Sequence, residues 1–82
     1  MKSKFDTIID LIHEEYCSAC KIHKTWPDDI IHAIAIMAEE SGEATRASLN
    51  YVYENGTLDD LKKELIQTGA MAIRCLINLK EK

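Results

Sequence analysis

Two short breaks in an otherwise continuous helical pattern decide what this chain can fold into. Its single proline lies in Thr25-Trp26-Pro27-Asp28-Asp29, and one of its three glycines in Asn55-Gly56. Elsewhere apolar residues recur at helical spacing. Phe5, Ile8, Ile9, Leu11, Ile12, Tyr16 and Ile22 predict a first helix over about residues 4–24. Pro27 suits a first helical turn and the two aspartates its positive end, so a second helix is expected over about 28–54. At ~1.5 Å per residue it would be roughly 40 Å long. Asn55-Gly56 would end it, and Thr57-Leu58-Asp59-Asp60 would cap a third helix running to about residue 80. The expected fold class is therefore all-α, a single helical domain over residues 1–82 with two long antiparallel helices. Three such helices cannot easily cover one another, and Ile30 to Ala38 is apolar on nearly every side, which calls for burial from several directions. Self-association into a homodimer or homotetramer is expected to complete the bundle.

Bulk composition narrows the partners. A chain of 82 residues is near the size at which one core is only just sufficient. A net charge of −4 offers no general attraction to nucleic acid or to an anionic membrane. The longest apolar run, Ala33 to Ala38, is far below the ~20 residues that span a bilayer. Met1 to Asp6 lacks the apolar segment of a secretory signal. Three cysteines, an odd number, fit a reducing cytoplasm better than a disulfide framework.

The chemistry concentrates where that apolar run stops. Ala33-Ile34-Ala35-Ile36-Met37-Ala38 leads directly into Glu39-Glu40-Ser41-Gly42-Glu43. A carboxylate buried without a partner costs several kcal/mol or takes up a proton. Only Arg46 is within a turn of Glu43 to offset these charges, so a metal ion is the natural remaining counter-charge. Hard carboxylate oxygens suit Mg2+, Mn2+ or Ca2+. Glu40 and Glu43, three residues apart, share a helix face. The third helix offers Glu64 and, at the same spacing, Gln67. Two helices each presenting such a pair can enclose a cation, as helix bundles repeatedly do. The alternative is a solvated face, with Glu64 paired outward to Lys62 or Lys63. Gly42 and Gly69 interrupt the two helices near these residues, and close approach of the second and third helices there would explain both.

Glu40-x-x-Glu43, twenty intervening residues, then Glu64-x-x-Gln67 resembles the metal-binding signature of the MazG-like all-α NTP pyrophosphatases. The surrounding Ala38-Glu39-Glu40-Ser41-Gly42-Glu43 is similar to that family's usual context. Trp26-Pro27-Asp28-Asp29 and Ile66-Gln67-Thr68-Gly69-Ala70-Met71-Ala72-Ile73-Arg74 resemble phrases of its small, often phage-associated members. The resemblance implies a Mg2+-dependent hydrolase, with Mn2+ a possible substitute, that splits a nucleoside triphosphate into the monophosphate and pyrophosphate. It makes Glu40, Glu43 and Glu64 metal ligands, with Glu39 a further ligand or the group that orients the attacking water. The chain departs from the pattern at Gln67, where the family carries an aspartate; a neutral carbonyl oxygen should bind metal less tightly. Its C-terminus also stops about where larger members add a helix that contacts substrate. A catalytically degenerate nucleotide- or protein-binding module of the same fold is thus the rival expectation, and a purely structural helical oligomer a third.

Four further residues are candidate substrate contacts. Trp26 could stack on a base, and His32 shares a helix stripe with Ile36, Glu39 and Glu43. Lys63 and Arg74 could meet phosphates, against the plainer reading of a solvated face. Cys17 and Cys20 with His13 and His23 suggest zinc, but on one helix they spread over ~15 Å, so one ion would reach two of them. They are expected to be ordinary partly buried side chains, with Cys75 in the core.

Overall fold

The computed structural model describes residues 1–81, and within them the chain is all-helical: α1 (Lys4–Ile22), α2 (Ile30–Tyr53) and α3 (Leu58–Ile77). Each helix begins at a polar cap. The Ser3 hydroxyl accepts from the Asp6 amide while the Asp6 carboxylate accepts from the Ser3 amide, closing a capping box. Asp29 caps α2 through a 2.9 Å bond from the Ile31 amide. Because that side chain occupies the cap, Pro27 and Asp28 lie ahead of the helix instead of inside its first turn. Thr57 caps α3, accepting from the Asp60 amide at 3.1 Å, and Asp59 and Asp60 follow at its positive end.

The helices also stop earlier than their apolar patterns suggest. α3 ends at Ile77, short of residue 80, because Asn78 turns back and its side-chain amide donates to the Arg74 carbonyl at 2.8 Å. Lys80, beyond the helix, instead pairs with Asp28 at 2.7 Å. At the α2–α3 turn no glycine has a positive φ, so Gly56 does not act as a left-handed cap. Its amide donates to the Asn50 carbonyl, and a Cβ there would lie 2.8 Å from the Asn50 Cβ. Close approach accounts for this glycine.

α3 is the central helix. It packs against α2 on one side and α1 on the other, while α1 and α2 do not pack together. The seams are built from small side chains: Ala33, Ala44 and Ala47 from α2, Ala19 from α1, and Ala70 and Cys75 from α3 are buried. Among the described residues no large side chain is fully buried. Ile31 is 77% exposed and Ala33 alone is buried between Ile30 and Ala38, so this run is not covered within one chain. The glycines also differ from expectation. A Cβ on Gly42 would meet nothing within 4 Å, whereas one on Gly69 would meet Ile12 of α1 at 3.1 Å. The close approach lies between α1 and α3, not between α2 and α3. No described helix is long and apolar enough to cross a membrane.

Candidate metal centre

Antiparallel packing of α2 on α3 brings Glu40 and Glu43 opposite Glu64. One oxygen from each carboxylate lies within 4.8 Å of the other two. Oxygens around an ion at ~2.1–2.4 Å stand about 3 Å apart when adjacent and up to about 4.8 Å apart when opposed. Side-chain rotation alone would close this set on a divalent cation. Glu40 and Glu64 are half-buried, Glu43 is exposed, and Oε2 of both Glu40 and Glu64 is buried without a hydrogen-bond partner.

The electrostatics match the geometry. Burial pushes the Glu40 carboxyl above its ordinary value, and the negative charges of Glu43, Glu64, Glu15 and Glu39 push it further. Burial raises Glu64 too, followed by the Glu43 charge, against a small opposing effect of Lys63. Among the described residues no lysine or arginine forms an ion pair with any of the three; the ion pairs are Lys2 with Asp10 and Lys80 with Asp28. Desolvated carboxylates that repel one another and have unsatisfied oxygens fit a hard divalent cation, which would relieve all three conditions.

Gln67 lies one turn beyond Glu64 and is half-buried in a groove of about 780 Å3 whose walls also include Glu40, Glu15, His32, Trp26 and Met71. Glu15, from α1, is a member of this acidic group that spacing could not reveal. Nothing local in α1 indicates which face of α3 it will meet. Glu39 is exposed and supplies no oxygen to the three-carboxylate cluster. Lys63 lies on the opposite flank, sharing a smaller pocket with Arg46, Glu43 and Glu64. The centre thus has cations on one side and a wider groove bearing Trp26 and His32 on the other.

Arg74 requires correction. Expected as a surface phosphate contact, it is only 4% exposed. Its guanidinium donates to the carbonyls of Ala19, His23 and Thr25, and stacks on Trp26 with 4.7 Å to the ring centroid. It caps the carbonyls of His23 and Thr25 just past the end of α1 and shares that of Ala19, tying the α1–α2 connection to α3. Its planar fork and diffuse charge suit this buried clamp better than a lysine would. Trp26, engaged with Arg74 on one face, borders the groove.

Cys17 is exposed, Cys20 half-buried and Cys75 buried, and the Cys75 thiol donates to the Ala33 carbonyl at 3.5 Å. Among the described residues the cysteines and histidines do not gather into a metal-binding cluster. In comparisons with protein-family models, curated proteins and solved structures, nothing matches this chain.

Proposed function

We propose that this chain is a divalent-metal-dependent nucleoside triphosphate pyrophosphohydrolase, converting NTP and water to NMP and pyrophosphate. The observation that carries the reading is the convergence of Glu40, Glu43 and Glu64, two of them with buried, unpartnered oxygens and none paired with a cation among the described residues. These three carboxylates would hold Mg2+, or Mn2+ in its place, with the Gln67 carbonyl as a neutral fourth donor. When bound, the ion supplies neutralisation of phosphate oxygens and a more acidic attacking water. Glu39, exposed beside the cluster, would orient that water and accept its proton. Lys63 and Arg46 offer positive charge to the triphosphate from one flank. The groove with Trp26 and His32 has room for the nucleoside on the other. The protein would act as a cytoplasmic homodimer or homotetramer.

A screen of nucleoside triphosphates with Mg2+ or Mn2+, reading out pyrophosphate, tests the activity. Orthophosphate release in place of pyrophosphate would reject the proposed bond cleavage. Gln67 specifically favours a second reading, a nucleotide-binding module that retains the site but has lost turnover. Nucleotide binding in the presence of metal, without pyrophosphate release, would select it.

A further inference from the structure

We propose that two copies of this chain associate back to back through the face opposite the carboxylates, each keeping its own complete centre. Beyond the self-association already proposed, this names the surface and its consequence, and it depends on neither metal nor turnover. A helical layer with α3 in the middle has two faces. On one, Gln67, Met71 and Arg74 of α3 and His32, Ile36 and Glu40 of α2 line the groove. At 100° per residue, the other face of α3 is marked by Leu58, Leu65, Ala72 and Leu76. On α2 the side turned away from the groove carries Ile30, Ile34, Ser41, Thr45, Ser48 and Val52.

Charge is sparse on the second face. Every acidic or basic residue of α2, namely His32, Glu39, Glu40, Glu43 and Arg46, lies off it. On α3 only Lys62, one turn from Leu58, edges the stripe, while Asp59, Asp60, Lys63, Glu64 and Arg74 lie elsewhere. Yet this face is open to solvent in the single chain: Leu65 is 55% exposed, Leu76 69% and Val52 65%. Exposed contiguous apolar surface of this kind marks an interaction site.

Area identifies the occupant. The chain exposes 6461 Å2, whereas a monomeric protein of 9.3 kDa exposes about 5,000 Å2. The surplus of roughly 1,500 Å2, taken over the whole chain, is enough to supply the ~800 Å2 per partner of a standard interface. A second copy presents the same face, so a two-fold pairing is self-complementary and leaves Lys62 at its rim.

Light scattering on the full chain at micromolar concentration, without metal or nucleotide, tests this. The expected mass is a multiple of the 9.3 kDa chain. Leu65→Glu should reduce it to the monomer at least tenfold more readily on dilution, while Lys63→Glu, beside the carboxylates, leaves the mass unchanged. Thr45→Arg, at an exposed position whose hydroxyl bonds only its own helix, provides the same readout if Leu65→Glu does not fold. A monomeric wild type, an assembly of any order that survives Thr45→Arg, or a monomer that instead sediments with phosphatidylcholine vesicles overturns the proposal. Loss of pyrophosphatase activity with the oligomer intact would count against the enzymatic reading alone.

Discussion

Replacing Glu64 by glutamine should make the metal-free protein more stable and deaf to metal. The three carboxylate oxygens lie within 4.8 Å of one another. At that distance a pair of like charges repels by about 1 kcal/mol in a water-like dielectric, and by more where water is partly excluded. Glu64→Gln removes the repulsion with both Glu40 and Glu43, so a gain of roughly 1–2 kcal/mol is expected, allowing for partial protonation in the wild type. In a domain of this size that is a rise in Tm of about 5–15 °C. Metal acts in the opposite sense. At a concentration of 100 Kd it should stabilise the wild type by about 2.7 kcal/mol, and Glu64→Gln by little. The pH dependence follows from the upward displacement of Glu40 and Glu64. A carboxyl raised on folding binds its proton more tightly in the native state. The stability this contributes is fully present below the ordinary value of 4.5 and is lost as pH rises through the raised value. The advantage of Glu64→Gln without metal should therefore be largest at neutral pH and shrink towards pH 4.5. Thermal melts across this range, with and without Mg2+ or Mn2+, measure both effects. A variant less stable than wild type without metal, yet equally stabilised by metal, would refute the reasoning.

Gln67→Asp should tighten divalent-ion binding in calorimetric titration and raise any pyrophosphatase rate, since it adds the fourth carboxylate; no change in either would place Gln67 away from the ion. Gly42→Ala should stabilise the protein by about 0.5–1 kcal/mol in chemical denaturation, because a Cβ there meets open space in a helix. Gly69→Ala should yield less or lose stability, since its Cβ would crowd Ile12. Arg74→Lys should cost about 2–3 kcal/mol by leaving carbonyls of the α1–α2 connection without donors, and should change Trp26 fluorescence while leaving metal affinity within twofold. Burial raises the Cys75 thiol, so an aromatic disulfide reagent near pH 8 should titrate Cys17 rapidly and Cys75 only on unfolding.

The helices were legible because apolar periodicity and caps are local. Thr57 bonds an amide three residues on, which requires no knowledge of the rest of the fold, whereas the start of α2 was misplaced because the Asp29 side chain, not Pro27, takes the cap. The pairing of Glu40 and Glu43 with Glu64 was legible for a related reason: one short turn joins α2 to α3, so neighbouring faces follow from the hairpin. α1 enters through a longer connection, and its packing could not be read in the same way. That is why Glu15 was missed, why Gly69 was assigned to the wrong helix pair, and why Arg74 looked like a surface cation. Arg74 is separated from the carbonyls it binds by about fifty residues of chain, and no periodicity encodes such a bond.

The alanine seams link the carboxylate centre to the exposed apolar face. Ala33, Ala44, Ala47 and Ala70 form the helix seams, beside which glutamates on separate helices come within 4.8 Å of one another. The same small residues leave no interior volume for Ile34, Leu65 or Val52, which must go outward. Under the proposed function the carboxylate side must remain open and hydrated for a metal and a polyphosphate to enter, so it cannot accept them. A three-helix layer committed to such a centre therefore concentrates its large apolar side chains on its reverse. Enlarging the seam, for example by Ala70→Leu, should separate α3 from its neighbours and weaken metal binding together with stability, whereas a substitution confined to the reverse face should alter association and leave the centre intact.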